Sequence, residues 1–114
     1  MTTRAPPPSP DADERAIRAW AVEEARRVVF QALGDREAEV YLFGSAARGD
    51  WNRFSDIDIA VVPRDPAARH ILGDIREALE ESRIPYFADV IDLTTADGPL
   101  RADVLATGVR WTRP

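Results

Sequence analysis

The spacing of apolar positions changes several times along this chain, and each change marks an element. Through residues 11–33, Ile17, Ala21, Val28 and Ala32 recur at helical spacing with Trp20 and Val29 beside them. That stretch predicts an amphipathic helix, which Ser9 or Asp11 can cap and Gly34 can end. The next run, AEVYLF at 38–43, is β-branched and aromatic and bounded by glycine, the composition of a strand. DIDIAVV at 56–62 predicts a second strand, stopped by Pro63. Helical spacing then returns across 66–84, where Ile71, Ile75 and Leu79 form one stripe until Pro85 breaks it. YFADVIDL at 86–93 predicts a third strand, and a short helix near 100–106 and a strand at 109–112 close the chain. The order α-β-β-α-β-α-β predicts an α+β fold, a small mixed sheet with helices packed on one face.

The parity of the second strand carries the chemistry. Residues two apart on a strand share a face, so Ile57, Ile59 and Val61 lie on one side and Asp56, Asp58 and Ala60 on the other. The isoleucine side is the one to bury. The two carboxylates then project together from the opposite side, roughly 7 Å apart at the backbone for a rise of about 3.3 Å per residue. Aspartate is a poor strand residue, and a charge near a core is costly unless it is paired or bound to a cation. A bare D-x-D can also be a turn residue followed by a solvated edge residue. Three neighbours argue for more. Gly44-Ser45 follows the first strand, where a backbone without Cβ can approach a phosphate and a hydroxyl can donate to it. Gly49 lets the connection fold back so that the second strand runs beside the first. Asp89 stands where an adjacent strand can present it. Hard carboxylates gathered on one face suit Mg²⁺, which completes its shell with water and substrate phosphates.

Composition then narrows the class. The chain has 114 residues, enough for one domain. Residues 1–14 are rich in proline and read as a disordered arm, leaving 15–114 as the domain. The arm lacks the apolar h-region of a signal peptide, no run approaches a membrane span, and there is no cysteine. These features predict a cytoplasmic protein without a membrane association. Fifteen basic against twenty acidic side chains give a net charge of −5, which disfavours non-specific binding to nucleic acid but not to a nucleotide.

Gly-Ser, ten residues, then Asp-Ile-Asp is a pattern that resembles the DNA-polymerase-β-like nucleotidyltransferase superfamily. The longer stretch FGSAARGDWNRFSDIDIAVV, with the later ADVIDL and LRADVLATGVRW, is similar to its small prokaryotic branch, the minimal nucleotidyltransferases, whose antitoxin members it resembles over 38–112. The resemblance implies that Gly44 and Ser45 hold a nucleoside triphosphate. It implies that Asp56, Asp58 and a carboxylate on a later strand bind two divalent metals, Mg²⁺ or Mn²⁺ in its place. The third carboxylate is Asp89, which opens an acidic-hydrophobic-hydrophobic segment; Asp92 is the alternative, on the other face and near the strand end. Arg48 either neutralises a phosphate or is a solvated loop residue. Ser55 reads as a loop cap, Trp51 as a packing residue and His70 as a surface histidine. The implied activity moves AMP from ATP to a hydroxyl with release of pyrophosphate. The implied acceptor is a tyrosine on a HEPN-domain toxin, the chain acting as antitoxin. A small-molecule nucleotidyltransferase subunit of the antibiotic-modifying type and a non-catalytic antitoxin that inhibits by steric contact are the rival readings. A homo-oligomer is compatible with the sequence.

Overall fold

A computed structural model describes residues 6–9, 11–50, 56–65 and 70–114. Helix α1 (Glu14–Leu33) is followed by β1 (Ala38–Phe43), a single turn α2 (Ser45–Arg48), β2 (Ile57–Pro63), α3 (His70–Glu80), β3 (Ala88–Asp92), α4 (Gly98–Thr107) and β4 (Val109–Trp111). The four strands form one mixed sheet in the order β3-β2-β1-β4. β1 runs antiparallel to both β2 and β4, whereas β2 and β3 are parallel and α3 makes the crossover between them.

Helix α1 is capped later than its periodicity predicts. Neither Ser9 nor Asp11 caps it; the carboxylate of Asp13 accepts from the backbone N–H of Ala16 at 2.9 Å. A cap oxygen must meet the first orphan N–H groups, and only Asp13 adjoins the first helical turn. Gly34 ends the helix as expected, with its N–H donated to the carbonyl of Phe30. The third strand is shorter than its apolar run, opening at Ala88, so Tyr86 and Phe87 stand outside it. The second strand opens at Ile57, leaving Asp56 one residue ahead of it.

Alternation decides the layers. Ile57, Ile59 and Val61 of β2 and Val40 and Leu42 of β1 are buried beneath Ala25, Val29 and Leu33 of α1 and Ile71, Ile75 and Leu79 of α3. Each large aliphatic side chain removed from water there contributes about 1.5–3 kcal/mol, so this face supplies most of the fold's driving force. Helices α1 and α3 lie on one face, but the expectation that the helices pack on one face only does not hold, because α4 packs Val104 and Leu100 against the other. The other face is divided. Ala60, Leu93 and Val104 make a small second cluster there with Tyr41, Ile91 and Leu100, so α4 covers that half. The remaining half, at the start of β2 and β3, carries the carboxylates.

Candidate active site

The site is built by the register of three strands. Phe43 at the end of β1 is the partner of Asp58 in β2, and Asp58 is the partner of Asp89 in β3. Residues directly opposite in a sheet share a face, so Asp58 and Asp89 project side by side from adjacent strands that lie about 4.8 Å apart. Asp56 precedes the strand by one residue and is exposed. The sheet thus brings Asp58 and Asp89 to one end of one face, and Asp56, just ahead of the strand, is near enough for its charge to act on Asp58.

Asp92 goes elsewhere. It is the partner of Val61 and so lies on the opposite face. Its carboxylate accepts from the backbone N–H of Thr94 at 2.9 Å and from the Thr94 hydroxyl at 2.6 Å, which closes the turn after β3.

Electrostatics tie the three carboxylates together. Asp58 is half-buried, and loss of water around it pushes its carboxyl above the ordinary aspartate range. The negative charges of Asp89 and then Asp56 push it further in the same direction, and the positive charge of Arg48 opposes them. Removing bulk water and crowding like charges are costs that a bound cation would relieve. Among the described residues no three acidic or histidine side chains already enclose a metal point. The donor set still fits the way Mg²⁺ binds, through one or two carboxylates with water and phosphate oxygens filling the rest of the shell.

The loop of Gly44 to Gly49 stands against this group. Its single helical turn, α2, is too short to show in an apolar period, and the sequence reading missed it. Gly44 adopts φ +73°, a region that side chains rarely enter, and Gly49 closes the turn in the left-handed region at φ +84°. A Cβ placed on Gly44 would collide with the Oδ2 of Asp58 and come within 3.2 Å of its carboxyl carbon. The glycine therefore does something that no spacing rule revealed: it leaves room for Asp58. Ser45 opens the turn immediately beside it. Arg48 is exposed at the turn's end, 3.6 Å from the carboxylate of Asp50. Ser55 and Trp51 lie outside the described residues. His70 is the exposed first residue of α3.

Comparison with known proteins agrees with this geometry. Residues 35–111 match the family model described as polymerase beta, nucleotidyltransferase. The Haemophilus influenzae protein named "Probable protein adenylyltransferase MntA" is 31% identical over 62 residues, 54% of this chain and 54% of that protein. The matched stretch thus spans about half the length of that relative. A crystal structure of a toxin–antitoxin with AMP-PNP superposes with a TM-score of 0.54 at 31% identity, covering 75% of this chain and 72% of that one. A mutant of the toxin–antitoxin pair MntA-HpeT superposes with a TM-score of 0.62 at 26% identity, covering 78% and 71%.

Proposed function

The chain belongs to the polymerase beta nucleotidyltransferase family, and from that premise we propose that it transfers AMP from ATP to a hydroxyl on a partner protein. The observation that carries this reading is the register pairing of Asp58 with Asp89, on the face and at the end of the sheet where Gly44-Ser45 stands. Asp56, Asp58 and Asp89 would hold one or two Mg²⁺ ions, or Mn²⁺ in their place, which neutralise the phosphates and stabilise the leaving pyrophosphate.

The chain's own residues have distinct tasks. Ser45 donates its hydroxyl to a phosphate oxygen, and Gly44 keeps the backbone low beside it. Arg48 offsets negative charge at the mouth of the site. Asp89, exposed at the start of the edge strand, takes the proton from the incoming hydroxyl. The acceptor oxygen forms a bond to the α-phosphorus. The bond from that phosphorus to the oxygen bridging it to the β-phosphorus breaks, and pyrophosphate leaves with the electron pair.

A protein acceptor suits the surface. A net charge of −5 would repel a nucleic acid, whereas a protein hydroxyl brings no such charge. The name of the Haemophilus relative and the toxin–antitoxin complexes among the solved neighbours support a protein acceptor. On this reading the hydroxyl belongs to a tyrosine of a HEPN-type toxin, and the chain acts as its antitoxin in the cytoplasm. Among the described residues no helix is long and apolar enough to cross a membrane.

The test is incubation of the chain with ATP, Mg²⁺ and the protein encoded next to it, followed by mass spectrometry of that protein. A tyrosine peptide heavier by AMP, absent with Asp56→Asn, is the expected result. An unmodified but inhibited partner would replace transfer with steric inhibition, and rapid modification of an aminoglycoside instead would make the acceptor a small molecule.

A further inference from the structure

A groove of about 540 Å³ opens between the second half of α3 and the start of β3. Arg76, Glu80, Pro85, Tyr86, Phe87 and Asp89 are among its walls. Its position is set by the sheet order, which makes β3 an edge strand. Asp89 is therefore common to the carboxylate cluster and the groove. Anything seated there has one end at the carboxylate of Asp89.

Two features restrict what can sit there. The first is Phe87, which is 72% exposed, more than any other large apolar side chain among the described residues. Its backbone is not loose, because its carbonyl accepts from the N–H of Ile57 at 2.9 Å. A fixed backbone with a ring held out in water is a contact surface without its counterpart among the described residues. The second is the edge itself. Phe87 and Leu93 use their backbone groups toward β2, so the intervening Ala88 and Val90 turn theirs outward. The Val90 carbonyl is already taken, at 2.7 Å, by the guanidinium of Arg76. An added strand would have to displace that bond, so the edge is blunted against strand addition.

We propose that this groove is the acceptor subsite, and that it takes the ring of a tyrosine from the partner protein, packed against Phe87 with its hydroxyl at Asp89. The inference rests on the transfer reading above and adds to it the residues that select the acceptor. Rings pack well edge-to-face or offset, and a wall of Phe87, Tyr86 and Pro85 offers such contacts. Length matters too. A phenol carries its oxygen at the far end of a rigid ring, so the partner's backbone can stay at the groove while the oxygen reaches the carboxylates. A serine hydroxyl, one carbon from its backbone, would need the backbone itself to enter.

The test uses the isotope-labelled full chain and two soluble probes, N-acetyl-tyrosinamide and N-acetyl-serinamide, followed by NMR without nucleotide. The tyrosine probe is expected to shift the amides of Phe87, Ala88 and Val90 and to bind at least fivefold more tightly than the serine probe. Phe87→Ala should lose that preference and Phe87→Trp should restore it. Equal binding by Phe87→Ala, or shifts centred away from β3, would overturn the subsite. A parallel titration of the wild-type chain with ATP and Mg²⁺ separates the two ideas. Shifts at Gly44, Ser45 and Asp58 without any response to tyrosinamide would remove the subsite and leave the transfer reading standing. A tyrosinamide response at Phe87 with no nucleotide response would support the aromatic groove and remove the transfer reading.

Discussion

Gly44 and Asp58 face one another across the connection between β1 and β2, so closely that a methyl group on the glycine would occupy the place of the aspartate's Oδ2. The contact links a conformational requirement to a chemical one. Gly44→Ala should therefore act twice, through a backbone conformation costing about 1–3 kcal/mol and through displacement of the Asp58 carboxylate. Gly49→Ala shares a positive φ but meets nothing within 4 Å. Urea unfolding together with Mg²⁺–ATP calorimetry should show both variants less stable, and only Gly44→Ala with nucleotide binding lost beyond detection. Equal nucleotide binding in the two variants would mean that the contact has no part in the site.

Asp58 also gives a pH dependence whose sign follows from its surroundings. Burial, then Asp89 and Asp56, raise its carboxyl above the unfolded value, so the folded chain holds a proton that the unfolded chain has lost. The metal-free protein is thus most stable with this group protonated. Its contribution falls as pH rises from the ordinary aspartate value of about 3.9 through the raised one. Asp58→Asn should flatten that part of the stability profile, make the metal-free protein more stable at neutral pH, and abolish metal-dependent transfer. Denaturant midpoints measured in EDTA across pH 3 to 8 check the first two, and an AMP-transfer assay checks the third.

Asp89 and Asp92 should separate cleanly. Asp92 accepts two bonds from Thr94, so Asp92→Ala should cost roughly 1–3 kcal/mol of stability and leave Mg²⁺–ATP affinity unchanged. Asp89 shares the face of Asp58, so Asp89→Asn should leave stability equal or higher and weaken metal-dependent binding at least tenfold. The reverse pattern would exchange their roles.

Ser45→Ala removes one donor at the start of α2 without disturbing the glycine turn. The loss is about 0.5–1.5 kcal/mol, or a few-fold to tenfold in affinity for a non-hydrolysable ATP analogue, with more if the phosphate oxygen is fully charged. Calorimetry with the analogue and Mg²⁺ reads it directly, and unchanged affinity would place the phosphate elsewhere.

Local rules account for much of this protein. The helical spacing of Val28 with Ala21, and of Ile75 with Ile71 and Leu79, specifies two helices because side chains three or four apart must share a helix face. The alternation of Ile57, Ile59 and Val61 with Asp58 determines which side of β2 is buried and that the Asp58 carboxylate leaves from the other. Gly44-Ser45 ahead of D-x-D marks the candidate site, since few physical reasons place two aspartates one residue apart beside a core. What lay beyond the sequence depends on partners distant along the chain. Parity allowed Asp89 and Asp92 as rivals; the pairing of Asp58 with Asp89 and of Val61 with Asp92 decided between their faces. The cap at Asp13 depended on where the first turn of α1 begins. The fit of Gly44 against Asp58, the exposure of Phe87 and the bond from Arg76 to the edge of β3 each needed the sheet assembled. Spacing along a strand determines the face a side chain takes, but only the register between strands, set by packing across the whole sheet, determines what it meets there.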